Sequence, residues 1–167
     1  MTMAHDSEVL ASRTPFQLGY VTTDIEQAVD AYRRQLGLGR FSVADRELHV
    51  QSPTGPLTVH ARIALTFVDD LMIEFIQPVG GDAQIYSDPL PDQGYALVLH
   101  HLGYLVDSAR IGWPQFRRLL DERVVFEKAG DPSHAYVDTR AAVGHYVEYI
   151  WLSAERMAAL RERIPQH

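Results

Sequence analysis

The chain reads as an α+β protein built from two copies of one unit, and three observations predict this. The first is internal repetition. Gln17-Leu18-Gly19-Tyr20-Val21 and His101-Leu102-Gly103-Tyr104-Leu105 match at an offset of 84 residues, and at that offset Tyr32-Arg33-Arg34 lies over Phe116-Arg117-Arg118. Leu36 lies over Leu120, while Asp24 and Asp107 close the first segment of each half one residue out of step. Several matches on one offset point to duplication rather than to a chance tripeptide. The second observation is the order of elements: each half offers a short apolar strand, a helical run, then further strands. The third is a glutamate inside a late apolar strand of each half, Glu74 in Met-Ile-Glu-Phe-Ile and Glu148 in Tyr-Val-Glu-Tyr-Ile.

Residues 1–13 are polar and lack the apolar core of a secretory signal, so they read as a flexible N-terminus. Phe16 to Thr22 is short and apolar, which suits a strand. Asp24 is placed to cap a helix, with Gln27 three residues on as its capping-box partner. Ile25, Ala28, Val29, Tyr32 and Leu36 recur at helical spacing until Gly37 and Gly39 end the run. Leu57 to Val68 and Leu71 to Gln77 flank Asp69-Asp70, the turn of a hairpin. If Phe67 faces Met72, then Leu65 lies across from Glu74 and Ile63 across from Ile76. Alternation puts Val59, Ala61, Ile63, Leu65, Phe67, Met72 and Ile76 on the face of Glu74, with His60 and Arg62 on the other. Residues 79–97, rich in Gly, Pro, Asp and Gln, read as a linker.

In the second half, 98–152, the segment at His101 is again a strand. Ile111, Gln115, Phe116, Leu119 and Leu120 repeat the helical pattern, with Pro114 near its start, where proline costs least. Ala135 to Asp138 and His145 to Trp151 follow as strands around a turn-like Thr139 to Gly144. Residues 153–167 carry a C-terminal helix over Ala154 to Ile164, a surface helix or a dimer contact.

Composition excludes several functions. The formal charge is −7 over 167 residues, and no Lys/Arg run is long enough to track a phosphate backbone, so nucleic acid is not expected. There is no cysteine, which removes disulfides, thiolate metal sites and a cysteine nucleophile. No apolar stretch approaches the roughly 18 residues of a membrane span. A cytoplasmic protein is the expectation.

The repeat singles out Gln17 and His101 as equivalent residues. His100 adjoins His101; we take His101 because it precedes Leu-Gly-Tyr as Gln17 does, and this sends His100 to the opposite face. An ionised carboxylate facing a core is expensive unless it is paired or coordinates a metal. One amide oxygen, one imidazole and two carboxylates, from Gln17, His101, Glu74 and Glu148, would satisfy a divalent cation and balance its charge. His49, His60, His134 and His145 receive no role. Tyr146 shares a strand face with Glu148 and either lines the pocket or simply packs.

Across residues 14 to 152 the sequence resembles the glyoxalase/bleomycin-resistance, or vicinal oxygen chelate, superfamily. The resemblance rests on PFQLGYVTTDIEQAVDAYRRQLGLGRF, LMIEFIQP, LHHLGYLVDS and GHYVEYI. It implies two βαβββ modules, 14–78 and 98–152, closing a cup-shaped mixed sheet with helices outside. It further implies one divalent ion (zinc, nickel, cobalt or manganese) held by Gln17, Glu74, His101 and Glu148. That set is similar to the quartets of glyoxalase I and methylmalonyl-CoA epimerase. The implied activity is an isomerase, epimerase or lyase that moves a proton next to a carbonyl and stabilises an enediolate-type anion, with Glu148 as the base. The expected substrate is a small molecule with paired oxygens and an apolar body, and the expected assembly a homodimer. Glyoxalase I carries an arginine where this chain has Val21 and an asparagine where it has Pro78, which disfavours a glutathione adduct. Two alternatives remain: a metal-free, drug-sequestering binding protein, and an extradiol-type dioxygenase. The second is disfavoured because its iron takes two histidines and one carboxylate.

Overall fold

The structure is a computed structural model that describes residues 11–120 and 123–167. The first half comprises β1 (Gln17–Thr22), α1 (Ile25–Leu36), β2 (Ser42–Ser52), β3 (Gly55–Val68) and β4 (Leu71–Gly81). A short helix, α2 (Gln84–Ser87), precedes the second half. That half runs β5 (Leu97–Leu105), α3 (Trp113–Arg117), β6 (Val124–Lys128), β7 (Ser133–Val137), α4 (Arg140–Val143) and β8 (Tyr146–Trp151), and α5 (Ala154–Arg163) closes the chain. The eight strands form one closed, mixed sheet in the order β1-β4-β3-β2-β6-β7-β8-β5. This is the α+β fold of two βαβββ units with helices outside.

The duplication is visible in the pairing. β1 runs parallel to β4 and β5 parallel to β8, so Gly19 pairs with Glu74 and Gly103 with Glu148. β1 and β5 join the halves antiparallel, setting Gln17 against Gly103 and Gly19 against His101. The cup therefore closes within one chain. The hairpin register follows the expected one, with Phe67 opposite Met72, Leu65 opposite Glu74 and Ile63 opposite Ile76.

The outer helices pack alike. In the first half Tyr32 of α1 lies edge-on to Phe75, 4.8 Å between centroids, and in the second Phe116 of α3 meets Tyr149 at 5.3 Å. Phe75 and Tyr149 each follow the glutamate of their strand. Alternation sends the glutamate into the barrel and the ring out to the helix. Asp24 caps α1, accepting a 2.9 Å bond from the Gln27 amide nitrogen. The Gln27 side chain bonds the Asp24 carboxylate rather than its backbone N–H, because Thr22 Oγ1 already accepts that proton. Gly37 ends α1 at φ 75°, a left-handed conformation that favours glycine.

Several expectations are corrected. The strands β2 and β6 were not read from the sequence. The second-half helix is only five residues long, and Leu36, placed on the apolar stripe of α1, is 61 % exposed. β4 continues into the expected linker, which also contains α2 and the buried Tyr86. Of the N-terminal segment, residues 1–10 lie outside the described residues. Residues 11–13 are tied to the sheet, since Ala11 bridges Val106 and Ser12 N–H donates to Leu105 O at 2.7 Å. Among the described residues no helix is long and apolar enough to cross a membrane.

Candidate functional site

Gln17, Glu74, His101 and Glu148 meet inside the barrel, on the four strands that surround the junction of the two halves. His101 Nε2 lies 3.4 Å from Glu74 Oε2 and 3.2 Å from Glu148 Oε2. The Gln17 Nε2 group donates to Glu74 Oε2 and lies 3.3 Å from His101 Nε2. Gln17, His101 and Glu148 are buried and Glu74 nearly so. Glu148 Oε2 is buried and, among the described residues, has no hydrogen-bond partner of normal geometry.

Two glycines make this convergence possible. A Cβ on Gly19 would sit 1.9 Å from His101 Cε1 and 2.1 Å from its Nε2, so the imidazole lies directly over the glycine. A Cβ on Gly103 would come within 2.9 Å of the Gln17 Cβ. Each glycine of the repeated Leu-Gly-Tyr thus clears space for the polar side chain of the opposite half.

His100 does not face the other way. Gly19 pairs with His101 and the next residue, Tyr20, with Leu99, so His100 is the extra residue of a β-bulge. The bulge turns both histidines inward, and His100 is 2 % exposed. Its Nε2 lies 2.9 Å from Ile85 O, and its Nδ1 lies 2.9 Å from His101 Nδ1. A carbonyl only accepts, so His100 Nε2 carries a proton. Burial first, then the neighbouring His101 charge, push the His100 pKa down to about 3, which keeps the ring neutral and its Nδ1 an acceptor. His101 Nδ1 must then be the donor, leaving its Nε2 aimed at the two carboxylates. Burial by itself would lower the His101 pKa, but Glu148 and Glu74 outweigh it and raise it to about 9.

Tyr86 of α2 and Tyr136 of β7 complete the floor. Both are buried, with hydroxyls 3.3 Å apart, and Tyr136 lies 5.0 Å from the His101 ring. Burial pushes both phenols up, which keeps them neutral. Tyr146 packs against His100 at 4.8 Å rather than facing the cavity, and the Arg140 guanidinium lies over its ring at 4.4 Å. His134 does line the cavity, a place that nothing in its sequence context signalled. Above the quartet the cavity, of roughly 320 Å³, is walled by Leu48, Ile63, Leu65, Ile76 and Ile150.

Among the described residues no group of three or more His, Cys, Asp or Glu side chains is gathered into a ready-made ion site. The four side chains contact one another directly instead, and the His101-to-carboxylate distances alone are spaced as ligands of one ion would be. Donors each about 2.1 Å from a tetrahedral cation stand about 3.4 Å apart, close to the 3.2 and 3.4 Å from His101 Nε2 to the two carboxylates. Turning the Gln17 amide over would offer its oxygen to the same point.

A closed mixed sheet of two βαβββ units is the fold of the vicinal oxygen chelate proteins. The sequence matches the family model of the Glyoxalase/Bleomycin resistance protein/Dioxygenase superfamily over residues 16–142, and the chain belongs to that superfamily. Similar solved structures include methylmalonyl-CoA epimerase from Mycobacterium tuberculosis, at TM-score 0.53 and 16 % identity, covering 92 % of this chain and 99 % of that one. A methylmalonyl-CoA epimerase in complex with methylmalonyl-CoA and NH4+ aligns at TM-score 0.50 and 16 % identity, covering 84 % and 94 %. An epimerase variant from Streptomyces coelicolor, bound to 2-nitronate-propionyl-CoA, aligns at TM-score 0.50 and 14 % identity, covering 84 % and 95 %. At such identities the likeness is one of fold. No curated protein sequence matches the chain significantly.

Proposed function

We propose that the chain is a metal-dependent isomerase, epimerase or lyase that moves a proton next to a carbonyl, with Gln17, Glu74, His101 and Glu148 as the metal ligands. The observation that carries this reading is the buried Glu148 Oε2, which lacks a hydrogen bond and lies 3.2 Å from His101 Nε2. His101 is the one group beside it among the described residues, and a buried carboxylate is costly unless a cation completes its surroundings. The two carboxylates balance a divalent ion, and the donor set of one nitrogen and three oxygens suits zinc, nickel, cobalt or manganese. When bound, such an ion would supply Lewis-acid stabilisation of negative charge developing on substrate oxygens.

The chain's own residues do the rest. Glu148 accepts the proton from the carbon next to the carbonyl. A carboxylate beside a cation is a weak base, so Glu148 must turn away as substrate arrives, giving up its 3.2 Å contact with His101 Nε2. Gln17, His101 and Glu74 keep their places, and the apolar wall holds the substrate body and excludes water. The neighbours crystallised with coenzyme A thioesters make acyl-CoA epimers one substrate class to try, beside 2-oxoaldehyde adducts.

The test begins with metal analysis of protein purified without chelators, followed by titration with zinc, nickel, cobalt and manganese. One ion per chain is expected, with affinity lost in His101→Ala. Protein that neither carries nor binds any of these ions is the metal-free binder instead. Glu148→Gln should bind metal yet show no turnover on a substrate found by screening; full activity in that variant would falsify its role as base.

A further inference from the structure

Four cations also line the cavity, three of them exposed and Lys128 half-buried. Arg46 of β2, Lys128 of β6, and Arg156 and Arg163 of α5 all line it. Arg156, Ala159, Leu160 and Arg163 follow i, i+3, i+4, i+7 spacing, so one face of α5 is turned to the cavity with an arginine at each end. The chain has 22 acidic and 15 basic residues, yet among the described residues no carboxylate apart from Glu74 and Glu148 lines this cavity. Arg33, Arg34, Arg62, Arg117, Arg140 and Arg161 all pair with carboxylates. Among the described residues, Arg46, Lys128, Arg156 and Arg163 do not. Arg46 Nη1 reaches only Asp45 O, and Lys128 Nζ only Pro132 O, each at 3.3 Å.

With Glu74 and Glu148 balanced by a divalent ion, the four cations find no carboxylate partner among the described residues, and apolar walls focus their field into the cavity. We propose that Arg46, Lys128, Arg156 and Arg163 form an anion subsite for a carboxylate or phosphate on the substrate's far end. The inference rests on the metal-site reading for the position of the reacting end, and it sharpens the substrate class. The ligand is an amphiphilic acid: paired oxygens at the quartet, an apolar body against Leu48, Ile63 and Ile150, and an anionic group between β2, β6 and α5. Three separate elements supply the cations, so the charge cannot be the incidental face of one helix.

The test uses the full-length protein and three probes that share one alkyl body: decanoate, decyl phosphate and decanol, each measured by calorimetry. At low salt the better anion should bind about tenfold or more tightly than decanol, the reach of a few partly screened ion contacts, and added salt should erode the advantage. Whichever anion binds better identifies the carboxylate or the phosphate as the preferred group. The combined variant Arg46→Ala, Arg156→Ala, Arg163→Ala should abolish the preference and leave decanol binding as it was. These side chains are exposed, and a thermal melt of the variant verifies that it folds; Arg46→Glu alone gives a second reading of the same effect. Decanol binding as well as the anions overturns the proposal. So does an anion preference that survives in the combined variant, since the carboxylate would then sit at the quartet. Zinc titration of the same samples separates the two readings: unaltered zinc binding with no anion preference removes only the subsite, and anion preference without zinc binding removes only the metal site.

Discussion

His101 is surrounded by two carboxylates at one ring nitrogen and by a single histidine at the other, and that asymmetry gives His100 a task. The chain of contacts from Ile85 O through His100 to His101 Nδ1 leaves only one tautomer for a metal-binding His101. His100→Phe keeps the aromatic volume and removes the acceptor, and should weaken zinc binding by about tenfold to a hundredfold. His100→Gln restores one acceptor and one donor and should recover most of the affinity. Equal zinc affinity in the phenylalanine variant would remove His100 from any positioning role. The same pair sets a pH dependence for the metal-free protein. His101, raised to about 9 from 6.5, contributes stability that is complete below 6.5 and lost as pH rises through 9. His100, lowered to about 3, stays neutral while the unfolded chain takes up a proton below 6.5, so its contribution falls as pH falls from 6.5 toward 3. Chelated protein should therefore melt highest near pH 6.5 as far as this pair is concerned, and His100→Gln should flatten the acid side. A melting temperature that climbs steadily from pH 6.5 to 9 would contradict the ion-paired His101.

At the scale of the element, the shared strand seam of β1 and β5 depends on its two glycines, and they are not equivalent. At Gly19 an added methyl meets an imidazole that is packed on all sides, whereas at Gly103 the crowding atoms include the movable Ile150 Cδ1. Gly19→Ala should cost about 1–3 kcal/mol or more in urea unfolding and displace His101 from the carboxylates. Gly103→Ala should cost less on both counts, and the reverse order would refute this account of the motif. Strand alternation made much of this legible: the hairpin β3–β4 fixed the surroundings of Glu74, and the offset of 84 paired Gln17 with His101. The rest was hidden for identifiable reasons. β2 carries the exposed run Asp45-Arg46-Glu47, which masks its inward Leu48 and Val50. The bulge at His100 has no composition of its own; it exists only as a pairing of Gly19 and Tyr20 with His101 and Leu99. Tyr86 stands on a four-residue helix, too short to show periodicity.

For the whole molecule, the barrel is closed by two seams of very different strength. The β1–β5 seam pairs all six residues of β1, and the quartet lies across it. The β2–β6 seam holds a single pair, Gln51 with Glu127, and the cavity reaches both of its strands through Arg46, Leu48 and Lys128. The fully paired junction that carries the quartet thus stands opposite the seam with the sparser pairing. The expected route of entry is that weak seam, since opening it leaves the pairing around Gln17, Gly19, His101 and Gly103 intact. Local opening needs little free energy where few backbone bonds break, so amides near Gln51 and Glu127 should exchange with solvent much faster than those of Leu18 to Val21. Hydrogen exchange followed by NMR measures both, and decanoate in the cavity should slow exchange at the β2–β6 seam while leaving β1 unaltered. Equal protection of the two seams, or slowing confined to β1, would mean that the cavity is entered elsewhere.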